Sequence, residues 1–221
     1  MSDKQKQFWD EIWENDSGGD IWGHNFWKKV SPEVVNLIRS QSPKSRPEVL
    51  DLGCGLGRNA IAFAQAGFSV TATDLSQEAV SHLKTWAEKQ DLQIRAFVSD
   101  FVDDAFLPDS FDIVLSLNVI YHGYRNQAES AINNVRNGMK KGGIFYFTFP
   151  SRQDGDYGRG KKLADHTFEF QPGHIHYHAD EDDLNAFLSG FNILTQERVE
   201  GPWKGDNTRI FSRWHLLAEK I

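Results

Sequence analysis

Cysteine is nearly absent: Cys54 is the one thiol in 221 residues. A lone thiol excludes an internal disulfide, and the cytoplasm is the expected compartment. Long apolar runs are missing too. No stretch approaches the ~20 residues that a membrane-spanning helix needs. The segment Met1–Asp10 is polar and charged, with no apolar signal sequence. There is no internal repeat, low-complexity tract or linker, so a single domain over 1–221 is expected. Positive charge is in deficit, with 24 Lys and Arg against 31 Asp and Glu and a net charge of −7. Binding a nucleic acid rests on cations that neutralise phosphates, so none is expected as the main partner. Aromatic side chains, by contrast, are plentiful. Of seven tryptophans, Trp9, Trp13, Trp22 and Trp27 crowd the first 27 residues. Hydrophobic residues at 39% and charged residues at 25% suit a globular domain with a substantial core.

The patterning predicts a helix over 3–14, with Phe8, Trp9, Ile12 and Trp13 at helical spacing. Asp16-Ser17-Gly18-Gly19-Asp20 breaks it. Ser31-Pro32 pairs an N-cap with a first-turn proline and opens a helix over 32–40; residues 42–47 are a loop. Strands and helices then alternate. Strands are expected over 48–52, 68–73, 93–98, 111–117 and 143–149. Helices are expected over 58–66, from the Ser76 cap through Gln90, and over 124–138. A helix over 180–189 opens on acids that suit its dipole, and strands 191–199 and 209–217 follow with no helix between them. Alternating βα units imply an α/β doubly wound parallel sheet, and the closing pair implies an antiparallel partner at one end.

The first βα junction carries the chemistry. Val49-Leu50-Asp51-Leu52-Gly53-Cys54-Gly55-Leu56-Gly57-Arg58-Asn59-Ala60 runs from an apolar strand through an acid and three alternate glycines into a helix. Such a turn lets a ligand approach the backbone, and the helix points free N–H groups back at it. Dinucleotides and S-adenosylmethionine both use this device. The dinucleotide fingerprint is G-x-G-x-x-G, but here the glycines stand at 53, 55 and 57, and Arg58 is a poor tenant of a tight helix–strand contact. The pattern D-x-G-x-G-x-G resembles motif I of the class I S-adenosylmethionine-dependent methyltransferases. Phe111-Asp112-Ile113-Val114-Leu115-Ser116-Leu117-Asn118-Val119-Ile120-Tyr121-His122 resembles motif IV of the same family, which NAD-dependent enzymes do not share.

The resemblance covers residues 45–150 well and the last strands more loosely. It implies a seven-stranded Rossmann-like sheet of order 3-2-1-4-5-7-6 with the last strand antiparallel. It divides the domain into an N-terminal helical lid (1–44), a cofactor core (45–150), an acceptor-side insertion (151–182) and a C-terminal helix with two strands (183–221). The implied cofactor is S-adenosylmethionine, leaving as S-adenosylhomocysteine. Asp51 would order the glycine loop and bind the cofactor amino group, with Gly53, Cys54, Gly55 and Gly57 forming the loop and Asn59 assisting at the carboxylate end. Asp74, closing Val70-Thr71-Ala72-Thr73-Asp74, can take both ribose hydroxyls, and Leu75 would lie on the adenine. Asp100 would accept from the adenine amino group while Phe101 packs on the ring. Asn118 would stand near the methionine half. Tyr121 and His122 begin the loop facing the acceptor and are the candidate catalytic pair.

Cys54 needs no nucleophilic role, since methyl transfer needs no enzyme nucleophile. His174-Ile175-His176-Tyr177-His178 puts three imidazoles on one face of an extended segment, with His166 nearby. No Cys or acid stands clearly placed as a further ligand, so a lid segment is expected rather than a metal site. Arg152, Arg159, Lys161 and Lys162 are read as solvated loop charge. Trp22-Gly23 resembles a tryptophan–glycine element of small-molecule methyltransferases. The expected reaction is in-line displacement onto a small-molecule acceptor by a monomer or homodimer. The alternatives are an NAD-linked oxidoreductase and a non-catalytic S-adenosylmethionine-binding protein.

Overall fold

The computed structural model describes residues 1–16, 29–41, 46–103, 106–203 and 206–221. Trp22, Trp27, the glycine break after Asp16 and most of the 42–47 loop lie outside these residues.

Strands β1 (Glu48–Leu52), β2 (Ser69–Asp74), β3 (Ile94–Val98), β4 (Phe111–Ser116) and β5 (Met139–Pro150) run parallel. They join β10 (Asp206–Lys220) and β9 (Phe191–Trp203) in a seven-stranded sheet of order β3-β2-β1-β4-β5-β10-β9. β10 is antiparallel to both β5 and β9. This is the expected order, with β10 and β9 as its seventh and sixth members.

Side-chain alternation builds two cores on the sheet. Leu50, Leu52, Val114, Phe145 and Phe147 face one way, against Ile132 and Val135 of α5 (Arg125–Gly138) and Leu184 of α6 (Glu181–Phe187). Val49, Val70, Ile113 and Leu115 face the other way. They meet Val34 of α2 (Pro32–Ser40), Phe63 of α3 (Arg58–Gln65) and Leu83 of α4 (Gln77–Lys89). Strands covered on both faces read as unbroken apolar runs, which is why β1 and β4 were plain in the sequence.

Three features depart from expectation. β9 and β10 outrun the expected 191–199 and 209–217, because their antiparallel pairing continues through Gly201 and Pro202. β5 begins at Met139, not 143, because Met139 pairs with Phe111 ahead of a register shift that absorbs the Lys140-Lys141-Gly142 segment. The 151–182 insertion is also more than a lid with one extended segment. β6 (Lys161–Ala164), β7 (Thr167–Gln171) and β8 (His174–Tyr177) form a separate antiparallel sheet of order β6-β7-β8. Strands of four or five residues carry too little pattern to stand out from a loop.

Helix α1 (Asp3–Asp16) lies against α4 and β8. Ser76 ties it down: its hydroxyl caps α4 by accepting from Ala79 N–H at 3.3 Å and donates to Asp10 at 2.6 Å. Gln5 donates to the His122 carbonyl at 3.1 Å. Trp13 packs on Leu56 and Ala79.

Candidate active site

The turn after β1 is anchored to β2, since Gly53 and Cys54 N–H both donate to the Thr73 carbonyl, at 2.8 and 2.9 Å. Gly53 has φ +72, and a Cβ there would come within 2.3 Å of Val119. The two sequence motifs therefore touch, and the contact admits no side chain. Gly57 has φ +93, and its absent Cβ makes room for Leu83 of α4, which would otherwise stand 2.3 Å away. Here the third glycine serves helix packing rather than ligand contact.

Two buried carboxylates hold the turn. Asp51 accepts from Ala60 N–H at 3.0 Å in the first turn of α3. Asp74 accepts from Gly55 N–H at 2.8 Å and from Ser76 N–H at 3.0 Å. Burial pushes Asp51 up to about 7, against the Ala60 hydrogen bond and the nearby Arg58 charge. Burial raises Asp74 to about 6, opposed by its bonds from Ser76 and Gly55. Asn59 contributes a buried Oδ1 with no hydrogen-bond partner.

A cavity of about 710 Å³ opens beside this turn. Asp51, Gly53, Cys54, Gly55, Asn59, Asp74, Leu75 and Phe101 line one part of it. Asn118, Tyr121, His122, His174, His176 and Arg213 line another, and Trp9 and Trp13 close over it from α1. Nearly all the residues expected from sequence are thus brought together. Gly57 and Asp100 are the exceptions, being absent from the wall. Gly57 packs on Leu83, and Asp100 is engaged by the Met1 ammonium and by Val102 N–H.

The far wall holds what the sequence did not join. Asn118 takes a left-handed φ of 61°, rare for a residue with a side chain, and its carbonyl meets His122 Nε2 at 3.0 Å. β8 carries His174 and His176 to the same wall, their Nε2 atoms 2.8 Å apart. His178 lies outside the cavity wall, its ring beside Tyr157 and Phe168 and 6.1 Å from the His176 ring. Burial, with help from the Arg213 charge, lowers all three wall imidazoles: His174 to about 4, His122 and His176 well below their usual value.

Arg213 of β10 was missed. It is buried, 3.6 Å from Asp154 and 5.4 Å from the Tyr121 ring. An arginine in an otherwise inward-facing strand pattern was the available signal. Arg152, read as solvated, instead pairs with Asp180 and, at 2.7 Å, with Asp183. Lys162 pairs on the surface with Asp165 at 2.8 Å.

This wall fits S-adenosylmethionine: buried acids suit its ammonium and sulfonium charges, an orphaned amide oxygen awaits a donor, and the glycine backbone stays open to close approach. Comparison with known proteins agrees. Residues 49–143 match the family described as "Methyltransferase domain". The chain is 28% identical to the ubiquinone biosynthesis O-methyltransferase of Rickettsia typhi, over 90% of this chain and 89% of that one. It is 31% identical to the probable S-adenosyl-L-methionine-dependent methyltransferase TehB of Haemophilus influenzae, over 52% of this chain and 38% of that one. In fold it resembles the magnesium protoporphyrin IX methyltransferase of Synechocystis PCC 6803, solved with bound SAH. The TM-score is 0.74 at 19% identity, over 99% of this chain and 100% of that one. The family match covers residues 49–143, the glycine turn and the strands that carry it, and the likeness in fold continues through the chain; together they support a class I S-adenosylmethionine-dependent methyltransferase with S-adenosylmethionine as its cofactor.

Proposed function

We propose that the enzyme methylates a small acceptor bearing a hydroxyl group, held in the Tyr121, His122, His174, His176 and Arg213 part of the cavity. The observation that carries this is one continuous cavity of about 710 Å³, within the usual range of small-ligand sites, in which the glycine-turn wall runs into an aromatic, imidazole-rich wall. The name of the Rickettsia typhi relative, an O-methyltransferase, supports an oxygen acceptor.

Bound S-adenosylmethionine supplies a methyl group on a positively charged sulfur. Asp51 binds the cofactor's amino group and Asp74 the ribose hydroxyls, while Leu75 and Phe101 flank the adenine. Asp100 takes the adenine amino group in place of the Met1 ammonium. Asn118, Tyr121 and His122 orient the acceptor towards the cofactor. Trp9 and Trp13 exclude water, so the work of the protein is alignment. In transfer the acceptor O–C bond forms, the S–C bond breaks with its electron pair passing to sulfur, and the hydroxyl proton passes to bulk solvent. The N-terminal segment (1–44) acts as lid, 45–150 as cofactor core and 151–182 as the acceptor-side insertion. The cytoplasm is the proposed compartment, from the single cysteine.

The test is a panel of hydroxylated, thiol and amine small molecules, alongside RNA and peptide, with S-adenosylhomocysteine release as readout. Turnover with a small hydroxylated compound, lost in Asp74→Ala, is the expected result. Transfer confined to RNA or peptide overturns the acceptor reading. Tight cofactor binding with no acceptor at all favours the non-catalytic alternative.

A further inference from the structure

The sequence argues against a metal because His174, His176 and His178 lack a further ligand. The fold changes that set, replacing His178 with His122. One ring nitrogen from each of His122, His174 and His176 lies within 4.8 Å of the other two, on the cavity wall. His174 and His176 share a face of β8 because they stand two residues apart on a strand.

His174 and His176 share one hydrogen bond, Nε2 to Nε2 at 2.8 Å, and beyond it the hydrogen bonding of these rings is incomplete. A backbone carbonyl only accepts, so the 3.0 Å contact to Asn118 O assigns the proton of His122 to Nε2. Nδ1 then keeps the lone pair, buried beside the Ile175 backbone without a hydrogen bond of ordinary geometry. His176 Nδ1 is also buried without a partner. Burying such groups unpaired is unfavourable unless a ligand takes them.

We propose that His122, His174 and His176 form a divalent metal site of the zinc class at the acceptor end of the cavity. Its fourth position is open to the oxygen of the acceptor. Three protein ligands and one open position are the pattern of reactive zinc centres. Metal-ligating histidines characteristically donate their other ring N–H to a carbonyl, which fixes tautomer and orientation. His122 already does this to Asn118, whose left-handed φ of 61° accompanies the contact. The nearby Arg213 charge is offset by Asp154, 3.6 Å away. The 4.8 Å span contracts to about 3.3 Å when the nitrogens share a tetrahedral ion at zinc–nitrogen distances.

Only the role of the open position rests on the acceptor reading; metal binding does not. The test uses the full chain, free of any polyhistidine tag and stripped with chelator. It is titrated with Zn²⁺ by calorimetry and with Co²⁺ by visible absorption. The expected result is one equivalent of zinc and the intense absorption of tetrahedral Co²⁺. His174→Ala and His176→Gln each weaken zinc binding by at least about tenfold, whereas His82→Ala, on α4, leaves it unchanged. S-adenosylmethionine binding by the same variants reports the fold, and for a variant that loses it the wild-type titration decides. No stoichiometric zinc in the wild type, or zinc affinity unchanged in both cluster variants, overturns the site. Zinc binding with no small-molecule turnover leaves the site standing and overturns the acceptor reading instead.

Discussion

Asp51 and Asp74 combine a structural set of hydrogen bonds with a place on the cavity wall. Each accepts backbone N–H bonds that shape the glycine turn, and each keeps a carboxylate at the cavity wall. Burial holds the Asp51 proton up to about 7. A cation bound beside Asp51 favours its ionised form, so cofactor binding should expel that proton. S-adenosylmethionine affinity is therefore expected to rise with pH and to level off above about 7. Calorimetry in buffers of different protonation enthalpy should detect the released proton. Asp51→Asn should bind more weakly and lose most of the pH dependence. A pH-independent wild-type affinity would show that Asp51 does not meet the cofactor's charge.

At the scale of elements, helix α1 and strand β8 bring Trp9, Trp13, His174 and His176 to the cavity wall. α1 contributes Trp9 and Trp13 to the wall and is tied to α4 through the Ser76–Asp10 hydrogen bond of 2.6 Å. Ser76→Ala removes that tie and the α4 cap together. The expected loss is about 1 kcal/mol, or a Tm lower by about 2–4 °C. Because α1 is loosened over the cavity, cofactor dissociation should also quicken in stopped-flow. A slower or unchanged off-rate would separate α1 from closure. α1 was legible from its helical aromatic spacing, and so was the Ser76 cap. The small β6-β7-β8 sheet was not, because its pairings run between short strands with no periodic signal longer than a few residues.

For the whole molecule, the buried acids make stability depend on pH and on ligand. The folded pKa values of Asp51 and Asp74 are raised above the ordinary 3.8. Their contribution is fully present below 3.8 and is lost as pH rises through about 6 for Asp74 and about 7 for Asp51. Thermal unfolding of the ligand-free protein should show this component declining across that window, and Asp51→Asn should reduce it. At a hundredfold excess over Kd, S-adenosylmethionine should add about 2.7 kcal/mol, raising Tm by about 5–10 °C. A melting temperature indifferent to the cofactor would count against one cooperative unit built around the cavity.

The sequence alone determined the alternation of strands and helices, the glycine turn and, through the family resemblance, the sheet order; it also named most of the residues that line one part of the cavity. Each of those residues belongs to a short contiguous stretch at the end of a strand, where local patterning and turn chemistry act directly. Only the tertiary structure decided that Asp100 meets Met1 and that Arg213 lies beside Tyr121. It alone brought His122 to His174 and His176 while leaving His178 apart. Those meetings depend on how α1, β8 and β10 pack over the ends of the parallel strands. Packing between elements distant in the chain leaves no periodicity in the sequence, so the acceptor wall emerges only when the chain is folded.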